Sequence, residues 1–358
     1  MTLSRSPYME WAKSRPRPDV DLAGSNLLPC TLEDLPGARE AVDISGESPE
    51  GYPPLVEAIA RAHAVEPERV ATANGCSGAN FLAFAALVQD GDHALVENPY
   101  YDPLPAAARM LGARVSHFAR RFEDGYDLDP ALVEEALTPR TRLLVLTNPH
   151  NPSGALISED RLREVVRMAE RHGFSILVDE VYRDAVLEDR ANPAATLSAA
   201  CISTSSLGKV YGLASLRCGW AIASAEVTRR IRRARDLLDV WSPMPSDRLA
   251  TVAFRNLGAL SARAQSIVQT NRTQVERWLA ATPALECVPS RATVAFPRLR
   301  GSRDAGPFVE RLLRETGTAV APGHFFGAPD HFRIAFGGEP EKVAAGLDAI
   351  RRTLPWSI

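Results

Sequence analysis

The chain has 358 residues, of which 45% are hydrophobic and 24% are charged. This apolar content can build a large core, which excludes an intrinsically disordered chain, and the length corresponds to about two domains. The formal charge of −3 gives no electrostatic basis for binding nucleic acid or a membrane surface. The first 21 residues lack the apolar segment of a signal peptide, and the sequence contains no apolar run of the ~18 residues that a membrane-spanning helix needs.

Cysteine and histidine spacing indicates neither disulfides nor a metal centre. The seven histidines show no HxxxH or HExxH spacing, so no metal site is expected. The cysteines are scattered without a CxxC pair, which is typical of reduced thiols and predicts a cytoplasmic protein. They are Cys30, Cys76, Cys201, Cys218 and Cys287.

From residue 69 onward, short apolar runs alternate with helical patterns. The predicted strands are Arg69–Ala73, His93–Glu97, Arg114–Phe118, Arg142–Thr147, Ser175–Asp179, Ala200–Thr204 and Gly219–Ala223. The predicted helices between them are Ala79–Leu87, Pro103–Leu111, Pro130–Leu137 and Glu159–Arg171. This alternation predicts an α/β fold with a mostly parallel sheet and helices on both faces. The nearly continuous apolar strands are typical of a sheet that is covered on both faces.

The pattern changes after Ala223 and predicts a second, smaller domain. An arginine-rich helical region spans residues 226–279 and is interrupted at residues 241–245. Two short apolar runs, a strand and a last helix follow, at Thr293–Phe296, Thr318–Ala321, His331–Phe336 and Glu339–Leu354. We therefore expect an N-terminal arm over residues 1–45 that packs with the small domain, a large domain over 46–245 and a small α+β domain over 246–358.

Four of the predicted strands end in polar or glycine-rich clusters, at the sheet edge where α/β proteins bind ligands. The run from Asn74 to Gly78 lies between a strand and a helix, where it is either a phosphate cradle or a plain tight turn. The run from Asn148 to Gly154 contains two Asn-Pro steps, which favour an extended, rigid loop. That loop either fixes the Asn151 amide for a ligand or is a structural turn.

The other two clusters contain one acidic and one basic residue. Asp179 ends an apolar strand, where a carboxylate is costly without a cationic partner. That partner is either a structural salt bridge or the protonated ring nitrogen of a cofactor. Lysine occurs at only three positions, against 38 arginines, and Lys209 is the one surrounded by small uncharged residues. This setting favours a partly desolvated amine with a lowered pKa, as carbonyl chemistry requires.

Together these clusters resemble the fold type I pyridoxal-phosphate enzymes, in particular the class I/II aminotransferase family. The resemblance covers residues 49–336 and rests on the lysine motif with its arginine, on Asn-Pro-His-Asn-Pro-Ser-Gly and on Asp-Glu-Val-Tyr, in the family's order. It implies the PLP-transferase fold, with a seven-stranded sheet in the large domain. Lys209 matches the Schiff-base lysine, Asp179 the partner of the pyridine nitrogen, and Asn151 and Tyr182 the groups at the ring 3-oxygen.

The remaining site residues also follow from the resemblance. Ser206 and Arg217 match phosphate ligands, and Tyr101 matches the aromatic ring that stacks on the cofactor. Arg333 matches the arginine that holds the substrate carboxylate, and Gly24 falls in the stretch that borders the substrate pocket. The phosphate loop itself is matched by Gly75, Cys76 and Ser77. Gly46 stands where the family often has a tyrosine that reaches the neighbouring subunit's phosphate, so the sequence departs from the pattern there.

The resemblance implies an enzyme that binds pyridoxal 5'-phosphate, acts on amino acids and 2-oxo acids and forms a homodimer. The leading hypothesis is an aminotransferase in which Lys209 acts as base and acid. The alternative is a pyridoxal-phosphate-dependent lyase, cyclase or oxidase of specialised amino-acid metabolism. A ligand-sensing module of a transcription factor can share this fold. We do not expect one here, because the residues before position 40 leave little room for a DNA-binding domain and no basic patch is visible.

Overall fold

The computed structural model describes residues 5–188 and 191–354. Residues 1–4 of the predicted arm, 189–190 of the predicted large domain and 355–358 of the predicted small domain lie outside the described part. The helices are α1 (Pro7–Ser14), α2 (Ala38–Ala41), α3 (Pro53–His63), α4 (Gly75–Leu87), α5 (Pro103–Met110), α6 (Pro130–Ala136), α7 (Glu159–His172), α8 (Ala225–Asp236), α9 (Met244–Arg255), α10 (Leu257–Ala280), α11 (Gly306–Thr316) and α12 (Pro340–Thr353). The strands are β1 (Val20–Asp21), β2 (Val70–Asn74), β3 (His93–Asn98), β4 (Arg114–Ala119), β5 (Thr141–Thr147), β6 (Ser175–Asp179), β7 (Cys201–Ser206), β8 (Cys218–Ile222), β9 (Leu285–Glu286), β10 (Val294–Ala295), β11 (Arg298–Leu299), β12 (Thr318–Ala319), β13 (Ala321–Pro322) and β14 (Phe332–Ala335).

The predicted seven-stranded sheet is confirmed. Its order is β2-β8-β7-β6-β5-β3-β4, and only β8 runs against its neighbours. Alternate residues of each strand face opposite sides of the sheet. Leu143 and Val145 of β5 pack into one hydrophobic cluster, whereas Leu144 and Leu146 pack into the other. Both faces are therefore buried, which explains why these strands have no polar alternation.

Four helices, α1, α2, α3 and α11, were missing from the sequence-based prediction, and a fifth, α4, begins earlier than predicted. Three of the missed helices, α1, α3 and α11, have proline in their first turn, where the absent N–H costs nothing. The Ser6 hydroxyl also accepts a hydrogen bond from the Met9 N–H and caps α1. Helix α4 begins at Gly75 and not at Ala79, so the predicted phosphate loop forms the first turn of a helix.

The C-terminal part of the chain builds its own hydrophobic cluster around α11, α12 and β14. The central strand β14 lies between β10 and β13 in a small antiparallel sheet and carries Arg333. The N-terminal segment joins this part through β1, which pairs in parallel with β12. Farther along that segment, the Ala335 N–H donates to the Leu22 carbonyl at 2.7 Å and the Leu27 N–H donates to the Lys209 carbonyl at 2.8 Å. The segment therefore touches both the small antiparallel sheet and the connection between β7 and β8.

Candidate active site

The carboxyl ends of β2, β3, β5, β6 and β7 meet at one edge of the seven-stranded sheet, where β8 begins. A cavity of about 240 Å³ opens at this edge. It is lined by Met9, Asn26, Cys76, Ser77, Tyr101, Thr147, Pro149, Asn151, Asp179, Val181, Tyr182, Ser206, Gly208, Lys209, Ala214 and Arg217. Most of the residues that the sequence predicted for the site thus lie around one space.

One end of the cavity is built for an anion. Gly75 opens α4 with φ +74°, and a Cβ there would overlap the Arg217 guanidinium. A Cβ at Gly219 would overlap the Gly75 carbonyl carbon, so both positions need glycine for this close approach. The unpaired N–H groups of the first turn of α4 and the positive end of its dipole face the same region as the Arg217 side chain. The Ser77 and Ser206 side chains line the cavity as well. This donor set fits a phosphate group.

Asp179, at the end of β6, is a buried carboxylate surrounded by donors. It accepts hydrogen bonds from Asn80 Nδ2 at 2.7 Å, from the Val181 N–H at 3.1 Å and from Cys76 Sγ at 3.4 Å. The Thr204 hydroxyl donates to Asn80 Oδ1 at 2.5 Å and fixes that amide. Burial raises the pKa of Asp179, and these hydrogen bonds oppose the rise. Among the described residues Asp179 forms no salt bridge, so the structural ion pair considered from the sequence is not found.

Lys209 lies in the connection between β7 and β8, where its amine faces the cavity. Its Nζ donates to the Ser25 hydroxyl at 2.8 Å. Burial, together with the positive charge of Arg333, lowers the pKa of Lys209 to about 8. This agrees with the lowered pKa expected from its uncharged neighbours in the sequence. A larger fraction of this amine is therefore neutral, and able to attack a carbonyl, than of an ordinary lysine.

Tyr182 and Asn151 bring two further polar groups to the cavity. The Tyr182 hydroxyl is buried, and burial raises the pKa of Tyr182 to about 12 although the nearby Ser25 side chain opposes the rise. Asn151 is held from both ends. Its N–H donates to Thr147 Oγ1 at 2.8 Å, and its Oδ1 accepts from Arg333 Nη1 at 2.9 Å. A buried hydroxyl and a fixed amide are suited to binding one ligand oxygen between them.

Arg333 is completely buried on β14. Its Nη2 donates to the Tyr8 hydroxyl at 2.6 Å and to the Ala23 carbonyl at 2.9 Å. Within residues 5–188 and 191–354, no carboxylate forms a salt bridge with it and its Nε has no hydrogen-bond partner. A buried cation without an anionic partner is costly, and an incoming carboxylate would relieve that cost.

The N-terminal helix α1 forms a wall of the site that the sequence analysis did not predict. Tyr8 meets the Tyr101 ring edge-on, with 6.1 Å between ring centres, and Met9 lines the cavity. The Ser6 hydroxyl and the Tyr8 N–H both donate to Asp102 Oδ2, at 2.5 and 3.2 Å, which fixes the start of the helix. The Ser6-Pro7 pair was a readable helix-start signal.

The predicted substrate contact of Gly24 is not among these interactions. Gly24 is exposed, and its nearest side-chain neighbour is the Asp21 carboxylate. Ala23 reaches Arg333 through its carbonyl, and Ser25 reaches Lys209 through its hydroxyl. Asn26 lines the cavity. The neighbours of Gly24 therefore make the contacts to Arg333 and Lys209, and a substrate contact of Gly24 stays a prediction.

The seven-stranded sheet and the polar side chains at its carboxyl edge define a protein of the fold type I pyridoxal-phosphate class. A solved structure of a PLP-dependent aminotransferase from Streptococcus suis matches with a TM-score of 0.92 at 26% identity, covering 99% of this chain and 98% of the other. The family model for aminotransferase class I and II matches residues 23–350. The chain belongs to this family, whose enzymes depend on pyridoxal phosphate, and it is an aminotransferase.

Two curated relatives differ in the activity that their names state. A capreomycidine synthase from Streptomyces vinaceus is 35% identical over 289 residues, which cover 80% of this chain and 74% of that protein. An aspartate/prephenate aminotransferase from Thermus thermophilus is 29% identical over 318 residues, which cover 86% of this chain and 82% of that protein.

Two features are absent from the described residues. No helix there is long and apolar enough to cross a membrane. In the same residues, no group of three or more His, Cys, Asp or Glu side chains is arranged to hold a metal ion.

Proposed function

We propose that this aminotransferase moves an amino group between an L-amino acid and a 2-oxo acid, with pyridoxal 5'-phosphate held on Lys209. The observation that supports this most strongly is the combination around the cavity of a lysine with a pKa of about 8, a buried carboxylate and an anion-binding helix end. Each of these groups alone also occurs in purely structural roles. Together, the lysine, the carboxylate and the helix end match the aldehyde, the basic ring nitrogen and the phosphate of pyridoxal phosphate.

The residues around the cavity fit this cofactor. Its phosphate fits the first turn of α4 and Arg217, where glycine at Gly75 permits close approach. Its ring nitrogen, when protonated, is the cation that the buried carboxylate of Asp179 lacks among the described residues. The buried Tyr182 hydroxyl and the Asn151 amide fit its ring oxygen. Tyr101 supplies an aromatic wall.

In the reaction, the residues of this chain bind the cofactor and the substrate, orient them and move protons. The bound cofactor supplies an electron sink for negative charge at the substrate α-carbon. Asp179 holds a proton on the ring nitrogen through a charge-assisted hydrogen bond and so keeps that sink strong. Lys209 would hold the cofactor through its amine and would take up and give back the proton of the substrate α-carbon, as general base and then general acid.

Arg333 is the proposed carboxylate anchor for the substrate. Its guanidinium is fixed by Asn151, Tyr8 and Ala23 and lacks a carboxylate partner within the described ranges. A planar fork held in this way can bind a carboxylate through two parallel hydrogen bonds. Because every amino acid and 2-oxo acid carries this carboxylate, the anchor sets the orientation of the α-carbon without selecting a side chain.

The test is amino transfer itself. The purified protein with pyridoxal phosphate is incubated with single amino acids and 2-oxoglutarate, and glutamate and ammonia are measured in parallel. Glutamate that forms in step with the donor's 2-oxo acid supports the proposal. Aspartate, which the name of the Thermus thermophilus relative states, is the first donor to test, and prephenate is a second acceptor to test beside 2-oxoglutarate.

One observation favours a second candidate reaction. The 35% identical relative is named a synthase and not an aminotransferase. A lyase, cyclase or oxidase would use the same lysine, carboxylate and phosphate site, because the fold alone does not fix the reaction. Consumption of a donor without 2-oxoglutarate, with release of ammonia or of a cyclised product, would support this candidate over amino transfer.

We also propose a homodimer in a reducing compartment such as the cytoplasm. Several large apolar side chains are exposed on two neighbouring stretches: Val42, Ile44, Leu237, Leu238, Val240 and Trp241. A second copy that covers them would remove apolar area from water. The five cysteines are all free thiols, which suits a reducing environment. A sedimentation experiment that shows an active monomer would refute the dimer.

A further inference from the structure

The segment from Leu22 to Leu27 crosses the site between the proposed carboxylate anchor and the proposed catalytic lysine. The Ala23 carbonyl accepts a hydrogen bond from Arg333 Nη2 at 2.9 Å. Two residues later, the Ser25 hydroxyl accepts from Lys209 Nζ at 2.8 Å. The Leu27 N–H then donates to the Lys209 backbone carbonyl at 2.8 Å. The segment is therefore fixed at three points to the same two residues, Arg333 and Lys209.

Ser25 is the member of this segment that touches the reacting amine. Its side chain is buried, with 7% of its surface exposed. Among the described residues, its hydroxyl is the hydrogen-bond partner of Lys209 Nζ. The serine lies 184 positions from the lysine in the sequence, so the contact depends on the fold.

We propose that Ser25 is a positioning residue for the reaction: its hydroxyl oxygen holds one N–H of the Lys209 amine and so directs the rest of the amine into the cavity. This inference rests on the role proposed for Lys209. A neutral primary amine has two N–H bonds and one lone pair, and fixing one N–H restricts where the lone pair points. Without that contact, the amine at the end of a flexible four-carbon stem can rotate freely.

A hydroxyl suits this position better than a charged group. A carboxylate at the same distance would stabilise the ammonium form strongly and keep the amine protonated. A serine oxygen accepts a hydrogen bond from either form and stabilises the charged form only moderately. Burial and Arg333 already lower the pKa of Lys209 to about 8, so Ser25 orients the amine while leaving it able to exchange its proton near neutral pH.

The first readout is the pKa of Lys209 in the cofactor-free protein. The chain has lysine only at Lys13, Lys209 and Lys342, so selective 13C labelling of lysine gives three side-chain signals to titrate by NMR. Loss of a hydrogen-bond acceptor from the ammonium should lower the pKa of Lys209 in Ser25→Ala from about 8 to about 7. Ser25→Thr, which keeps the hydroxyl, should restore the wild-type value.

The second readout separates orientation from protonation. At pH 9 the amine is mostly neutral in both proteins, so a fall in kcat there reflects misorientation. We expect a loss on the order of 10-fold in Ser25→Ala, with KM nearly unchanged because the carboxylate anchor is intact. The matched control is Ser203→Ala, which removes a buried hydroxyl that accepts from the Ala195 N–H at 2.9 Å. It should leave the pKa of Lys209 unchanged.

An unchanged kcat at pH 9 in Ser25→Ala would overturn the positioning role, and an unchanged pKa of Lys209 would overturn the hydrogen bond on which it rests, as would an equal change of pKa in Ser203→Ala. Ser25→Cys preserves the side-chain volume and replaces a strong acceptor with a weak one, so it must shift the pKa in the same direction if Ser25→Ala fails to fold. The titration needs neither cofactor nor substrate. A protein that fails to transfer amino groups but shows the pKa shift would therefore refute the proposed function and leave the Ser25–Lys209 contact intact.

Discussion

Neutralising the buried carboxylate of Glu97, as Glu97→Gln, should destabilise the protein far more than removing a surface charge. Glu97 lies one residue before the end of β3 and is 1% exposed. Its Oε2 accepts from Arg120 Nη1 at 2.7 Å, and its Oε1 accepts from the Thr147 N–H at 2.7 Å and the Thr147 hydroxyl at 2.5 Å. A glutamine offers a single acceptor oxygen, so it can satisfy the Thr147 donors or the Arg120 donor.

The expected cost follows from the burial of both partners. Breaking a fully buried ion pair by removing one charge costs about 3–5 kcal/mol, because the other charge stays buried and unpaired. For a chain of 358 residues the unfolding entropy is about 0.75 kcal/mol/K, so the midpoint of thermal unfolding should fall by roughly 4–7 °C. The Thr147 hydroxyl also accepts a hydrogen bond from the Asn151 N–H, so loosening the contact between Glu97 and Thr147 also affects two residues that line the cavity.

Differential scanning calorimetry on the cofactor-free protein measures this shift. The control is Glu159→Gln on α7, which removes an exposed partner of Arg163 four residues away. Such surface pairs contribute about 0.3–0.5 kcal/mol, so the control midpoint should move by less than ~1 °C. If both variants melted within a degree of each other, the buried pair would not stabilise the fold and the reasoning would fail.

The other predictions concern the site. Asp179→Ala should reduce kcat by roughly 100-fold or more with little change in cofactor affinity, and Asp179→Glu should be milder, as steady-state kinetics and a cofactor titration would show. Arg217→Ala should raise the cofactor Kd more than Ser206→Ala does, because a charged hydrogen bond contributes about 1.5–3 kcal/mol against about 1 for a neutral one. Arg333→Lys should raise KM similarly for all donors, and an effect confined to dicarboxylate donors would contradict the anchor role. Because the pKa of Lys209 is about 8, cofactor attachment to the cofactor-free protein should accelerate as pH rises towards 8 and level off above it, when followed by absorbance.

The sequence predicted the sheet well because its strands are buried on both faces. Continuous apolar runs such as Leu143–Leu146 have few alternatives to a central strand. Of the missed helices, α2 has only four residues, and α1 lies in a proline-rich segment that reads as a loop. Start signals for α1 and α3, Ser6-Pro7 and the paired prolines Pro53 and Pro54, were nevertheless present. The early start of α4 depends on Gly75 adopting a positive φ, which the sequence permits but does not require.

The candidate site shows which contacts a sequence can indicate. Asp179 stands out locally because it places a charge at the end of an apolar strand, and Lys209 because it is one of only three lysines and is surrounded by small uncharged residues. Ser25 and Asn80 do not stand out, since an isolated serine or asparagine has no distinguishing neighbours. Their roles arise from hydrogen bonds that join positions 184 and 99 residues apart, to Lys209 and Asp179 respectively. Such contacts are set by the packing of the N-terminal segment and of α4 against the sheet.

The central claim is that Lys209 carries the cofactor, and borohydride reduction followed by peptide mapping tests it directly. The protein is loaded with pyridoxal phosphate, reduced, digested and analysed by mass spectrometry. Because the chain has only three lysines, the peptides that contain Lys13, Lys209 and Lys342 can all be monitored in one experiment. The account predicts stoichiometric labelling of Lys209 in the wild type and no label in folded Lys209→Ala. Label on Lys13 or Lys342 with an unmodified Lys209 peptide would contradict it.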